Sequence, residues 1–124
     1  MNHPDRIFDY LSDIALCIER ASGYLKGVLD FATFEQAFRT QDAILRNIMV
    51  IGEAGAKLHN AAPAFTREHS DVPWSRIRAM RNLVIHDYAH VDLEVVWRTV
   101  IDDFPSLGRR ISRLIAESRP ADGQ

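Results

Sequence analysis

Covalent and metal-based stabilisation is largely missing from this sequence. One cysteine, Cys17, stands in 124 residues, so no disulfide can close within the chain and no thiolate cluster can gather a metal. A single thiol fits a reducing compartment, and the position of Cys17 on the first apolar period makes it a small core residue. Long hydrophobic runs are missing too, with no stretch near the roughly 20 apolar residues that a membrane span needs. The N-terminal MNHPDRIFDYLSD carries acids where a secretory leader would carry a basic segment and an apolar core. The expectation is a cytoplasmic protein without membrane association. Nor does one sign of charge dominate. Fifteen basic residues against seventeen acidic ones give a net charge of −2, so any nucleic-acid function needs a local basic patch. No segment alternates strictly, none repeats and none is low in complexity, which leaves little room for a sheet.

What is present is helical periodicity. Over 5–25, Ile7, Leu11, Ile14, Ile18, Ala21 and Leu25 recur at three and four residues, which predicts an amphipathic helix opened by Pro4 and ended by Gly23 or Gly27. A second start is expected at Thr33, with Gln36 as its capping-box partner. Its apolar period runs through Phe34, Phe38, Leu45, Ile48, Ile51 and Leu58 to about His59, with a break near Thr40. Residues 60–73 hold two prolines and no period, and read as a loop. Pro73 then opens a third helix, with Asp71 near its N-terminus, and Asp92 is the N-cap of a fourth. Pro105 should kink or split that last helix. The fold expected is an all-α, single-domain antiparallel bundle of four to five helices over 1–118, followed by a flexible tail over 119–124.

The third helix carries the chemistry, in MRNLVIHDYAH (80–90). At about 100° per residue, Ile77, Met80 and Val84 share the core arc, and Arg81 and Tyr88 project within about 20° of each other at its edge. His86 lies about 140° from Arg81 and about 7.5 Å along the axis, with Asn82 on the histidine's side. One ideal helix cannot bring Arg81 and His86 to a common point. A bend near HDY would do so, and so would a second copy across a two-fold axis. Arg76, Arg78 and Arg81 fall within six residues and form the candidate basic patch, with Arg76 and Arg78 as phosphate contacts. Arg109, Arg110 and Arg113 form a second cluster, read as a solvated face. Glu53, alone among Ile51, Gly52, Ala54 and Gly55, is either a surface carboxylate or a supporting partner for Arg81 or His86. Asp87 is read as non-catalytic.

The residue types suit a site that handles phosphate. Histidine exchanges protons near neutrality, and arginine offers a permanent planar fork for phosphate oxygens. No group of carboxylates and histidines has metal-ligand spacing, so neither a metal site nor a cofactor is expected.

The chain resembles the HepT-like branch of the HEPN superfamily, the toxin halves of MNT–HepT modules. The resemblance is carried by LRNIMVIGEAGAKL in the second helix, VPWSRIRAMRNLVIHDY in the third and VVWRTVIDDFPSL in the fourth. The family's Arg-x4-His-x-Tyr signature falls on Arg81, His86 and Tyr88. The resemblance implies an all-α bundle, a homodimer and a metal-independent endoribonuclease site at the dimer cleft, in a type VII-like toxin–antitoxin module. It also implies a partner, an MNT-type nucleotidyltransferase antitoxin that adenylylates Tyr88. A non-catalytic HEPN module that binds nucleotide or docks a minimal nucleotidyltransferase would use the same three residues. The residues alone leave both readings open.

Overall fold

A computed structural model describes residues 4–85 and 90–118, and among them every regular element is helical. The first helix, α1, runs Pro4–Tyr24 and buries Leu11, Ile14 and Ala21 completely, as the apolar spacing predicts. Gly27 makes the turn that follows, at φ 84°, a conformation open to glycine at little cost. Cys17 is buried in this helix, and burial, helped by the nearby Asp13, pushes its thiol pKa up.

The second start differs from expectation. α2 spans Phe31–Gln36, and its N-cap is Asp30, whose carboxylate accepts from the backbone N–H of Thr33 at 2.9 Å and from its hydroxyl at 2.7 Å. Thr33 is thus a donor inside the first turn and not the cap. The earlier start places Phe31 and Phe34 on one face, where both rings pack against Trp97 at centroid distances of 6.2 and 5.4 Å. The break falls at Ala37 instead of near Thr40. It is held by Gln41, whose buried Nε2 donates to the carbonyls of Phe34 and Glu35 at 2.9 and 3.0 Å. One side chain thereby ties down two carbonyls at the end of α2, where Phe34 O otherwise receives only the N–H of Ala37.

α3, Phe38–Ala61, is the longest helix and the centre of the fold, packed between α1 and α5. The expected loop over 60–73 contains a short helix, α4 (Pro63–Glu68), with Pro63 in its first turn. Proline's fixed φ suits that position, and six residues are too few for a period to show in the sequence. α5 spans Trp74–Ile85. Asp92 caps α6 (Leu93–Arg98), accepting from Glu94 N–H and Val95 N–H, as expected.

The disruption expected at Pro105 takes a specific form. A π-helical turn, Thr99–Asp103, separates α6 from α7 (Phe104–Ser118), and the N–H of Phe104 reaches back to the carbonyl of Thr99. Pro105 has no N–H to give and crowds the carbonyl four residues earlier, so a widened turn just before it relieves the clash. α7 packs back on α1, with Phe104 and Ile111 fully buried. No described helix is long and apolar enough to cross a membrane.

Candidate functional site

Two glycines in the middle of α3 decide where α5 lies. Glycine inside a helix costs roughly 1 kcal/mol against alanine, so a pair three residues apart calls for a packing reason. A β-carbon at Gly52 would stand 2.4 Å from the backbone nitrogen of Arg81, and one at Gly55 would stand 2.6 Å from Cγ2 of Ile77. The two backbones therefore touch at Gly52 and Arg81. Ile77 and Met80 are buried beside this contact, as their arc predicts.

The contact sets Arg81 beside Glu53, the next residue after the glycine. Arg81 Nη1 lies 3.3 Å from Glu53 Oε1, with both side chains nearly half exposed. Of the two readings of Glu53, the structure brings it to Arg81. A pair this exposed contributes little to stability, about 0–1 kcal/mol, because solvent screens it. Its effect is positional: it holds one edge of a guanidinium whose five N–H donors exceed what one carboxylate contact uses.

The neighbouring candidates separate around the helix. Arg78 lays its side chain along α3, with Cγ 3.8 Å from where a Gly55 β-carbon would be. Its Nη1 is buried and has no hydrogen-bond partner among the described residues. Arg76 turns the other way and pairs with Asp103 of the π turn at 3.0 Å. Asn82 also faces away from Arg81, into a cleft of about 580 Å³ between α5 and the α6–α7 rod. One end of that cleft is bridged by the Arg76–Asp103 pair and by Arg110, whose Nη1 donates to the carbonyl of Asp71. Arg110 thus has a structural bond, although its cluster reads as a solvated face. His86, Asp87 and Tyr88 lie outside the described residues. α5 is described as far as Ile85.

Sequence reasoning missed the Asp103 and Asp71 contacts, since 27 and 39 residues separate the partners and no local pattern marks them. It also missed His59 and Thr66, which meet at 3.0 Å across the α3–α4 turn. The expected loop over 60–73 hid that contact. Among the described residues no group of three or more His, Cys, Asp or Glu side chains is placed to hold a metal ion.

The family model described as "Ribonuclease HepT-like" matches residues 14–114. A protein of Thermococcus cleftensis named "Probable ribonuclease HepT" is 38% identical over 106 residues, covering 86% of this chain and 93% of the relative. A relative from Caldanaerobacter subterraneus, provisionally named as an RNase, is 28% identical over 88% of this chain and 90% of its own. A longer protein of Methanocaldococcus jannaschii, whose name joins a gamma-glutamylcyclotransferase to a provisional RNase, is 33% identical over 87% of this chain and 47% of its own. No solved structure matches at a significant level. The chain belongs to the HepT-like ribonuclease family.

Proposed function

We propose, from membership of the HepT-like ribonuclease family, that this chain is an endoribonuclease in which Arg81 and His86 carry metal-independent cleavage at a homodimer cleft. One observation carries this reading: the backbone of Arg81 is seated against Gly52 and its guanidinium meets Glu53, in a chain matched to the family across residues 14–114. In the reaction the 2′-oxygen attacks phosphorus and loses its proton to a base. The bond to the 5′-oxygen breaks, and that oxygen takes a proton from an acid. A 2′,3′-cyclic phosphate and a free 5′-hydroxyl result. In this scheme His86 takes the proton of the 2′-hydroxyl and delivers one to the 5′-oxygen, and Arg81 binds the phosphate oxygens as charge builds on the phosphorane.

The test is cleavage of labelled RNA in excess chelator. Wild-type protein should cut, and Arg81→Ala and His86→Ala should each lose about 100-fold or more in rate while keeping the helical signal of the fold. Loss of cutting in chelator, with both variants as active as wild type when metal is restored, would overturn the mechanism.

The same reading makes the chain the toxin half of a toxin–antitoxin module, restrained by a nucleotidyltransferase that adenylylates Tyr88. Each adenylyl group would add a phosphodiester charge and a nucleoside two residues from His86, where the charge can occupy Arg81 and the nucleoside can obstruct RNA. Co-expression with such an antitoxin should add adenylyl mass to wild type and none to Tyr88→Phe, as read by intact-mass spectrometry. An unmodified wild type that is nonetheless neutralised would assign restraint to steric masking.

A further inference from the structure

A second cleft opens where α3 ends and α5 begins, away from Arg81 but on the same pair of helices. It encloses about 530 Å³, and its polar lining includes His59, Thr66, Arg67, Ser70, Ser75 and Arg78. Arg76 stands at its rim, already paired with Asp103. None of the described residues lining it is acidic, in a chain whose net charge is −2.

The walls of this cleft are held by bonds that need no ligand. Thr66 donates its hydroxyl proton to the carbonyl of Pro63 at 3.0 Å, so His59, 3.0 Å from the same oxygen, must give that contact its Nδ1–H. Trp74 Nε1 donates to the carbonyl of His69 at 2.9 Å, and the Phe65 ring packs on both His69 and Trp74. The unmet group is Arg78. Its stem is packed along Gly55, while its buried Nη1 finds no acceptor among the described residues. Buried donors are nearly always paired, so Arg78 is the cationic group of this wall whose partners the described residues do not supply, and the part of its side chain that lines the cleft is what a ligand there would meet.

Position then selects the ligand. Glu53 and His59 are six residues apart on α3, and Arg81 and Ser75 six residues apart on α5, about 9 Å of axis in each case. The two helices therefore carry the two sites about 9 Å apart along the axis and about 120° apart around it, with Arg78 between them in both respects. We infer that the α3–α5 cleft is a phosphate subsite for the RNA strand, receiving a backbone phosphate a few nucleotides from the bond that Arg81 and His86 break. Arg78 and Arg67 supply the charge, and Ser70 and Ser75 supply hydroxyl donors. This inference rests on the ribonuclease reading and adds a site to it.

The probe is a 2′-O-methyl oligonucleotide, which keeps the phosphates but lacks the attacking hydroxyl. Arg78→Met keeps the stem on Gly55 and removes the charge; Arg67→Gln is an exposed second variant that leaves the core alone. Each should weaken binding severalfold and flatten the dependence of log K on log salt by about 0.7 for the lost contact. The oligonucleotide should also move the His59 ring and Trp74 indole resonances of wild type. With natural RNA, the Arg78→Met defect should fall on KM for long strands and vanish for a dinucleotide. Unchanged affinity and salt slope in both variants, with RNA still cut, would overturn the subsite alone. Resonance shifts with inorganic phosphate but none with the oligonucleotide would make it a site for free phosphate and overturn its assignment to the strand. Failure of wild type to bind the oligonucleotide would overturn it as well. Binding as described by a wild type that never cuts RNA would leave the subsite standing and sink the ribonuclease reading.

Discussion

Glu53 and Arg81 show how a weak interaction can still matter. At nearly half exposure for each partner, the pair adds no more than about 1 kcal/mol. A guanidinium that must meet a phosphate within a few tenths of an ångström is more sensitive to orientation than to that energy. Glu53→Gln should therefore leave the urea midpoint almost unchanged and lower the rate of RNA cleavage about tenfold or more. Arg81→Lys should lower it further, since a point charge cannot reproduce the planar fork. A Glu53→Gln variant with full activity would return Glu53 to the surface carboxylate that its sequence context equally allowed. Arg81, Glu53 and the arginine run were legible as candidates because their types are unusual beside a core face. The orphaned Nη1 of Arg78 was not legible, because the side chain is laid along a glycine of another helix.

At the level of elements, the α3–α5 contact carries the largest structural constraint on the site. Gly52→Ala gains helix propensity, worth up to about 1 kcal/mol, but drives a methyl group to 2.4 Å from a backbone nitrogen that cannot rotate away. Overpacking of this kind costs about 1–3 kcal/mol, so the net change should be destabilising, by about 0.5–2 kcal/mol in urea unfolding. Activity should fall by more than stability does, because the displaced backbone is that of Arg81. An unchanged midpoint with full activity would show that α5 can slide. The long helices could be read from their apolar periods, and so could the Asp92 cap from its place before one. α4 could not, since six residues hold less than two turns. The start of α2 could not either: Asp30 and Thr33 are both good caps, and only the packing of Phe31 and Phe34 on Trp97 decides between them. Pro105 announced a break in the last helix. That the break is a five-residue π turn could not be read, since a proline marks a break but not the kind of turn that relieves it.

At the scale of the whole molecule, the proposed mechanism asks two groups five residues apart to serve one phosphate. On an ideal helix Arg81 and His86 are about 140° apart, so a two-fold partner is the simplest way to bring both to a common cleft. The surface beside α5 leaves room for such a partner. The cleft between α5 and the α6–α7 rod combines buried Ile77, Met80 and Leu107 with half-buried Leu83 and an exposed Val95, an apolar strip that one copy alone leaves partly open to water. Sedimentation should give a dimer at micromolar concentration, and Val95→Asp should shift it toward monomer without lowering the helical signal. A stronger consequence concerns activity. If Arg81 of one copy works with His86 of the other, Arg81→Ala and His86→Ala proteins are each inactive alone. Mixed and allowed to exchange subunits, they should regain activity, because each heterodimer holds one intact pairing of arginine and histidine. If both residues act within one copy, every subunit in the mixture is defective and no activity returns. Recovery in the mixture, lost again when both variants also carry Val95→Asp, would tie cleavage to the dimer through this face. A mixture that stays inactive while sedimenting as heterodimer would place the whole site within a single copy, and the bend near HDY would then have to bring the two side chains together.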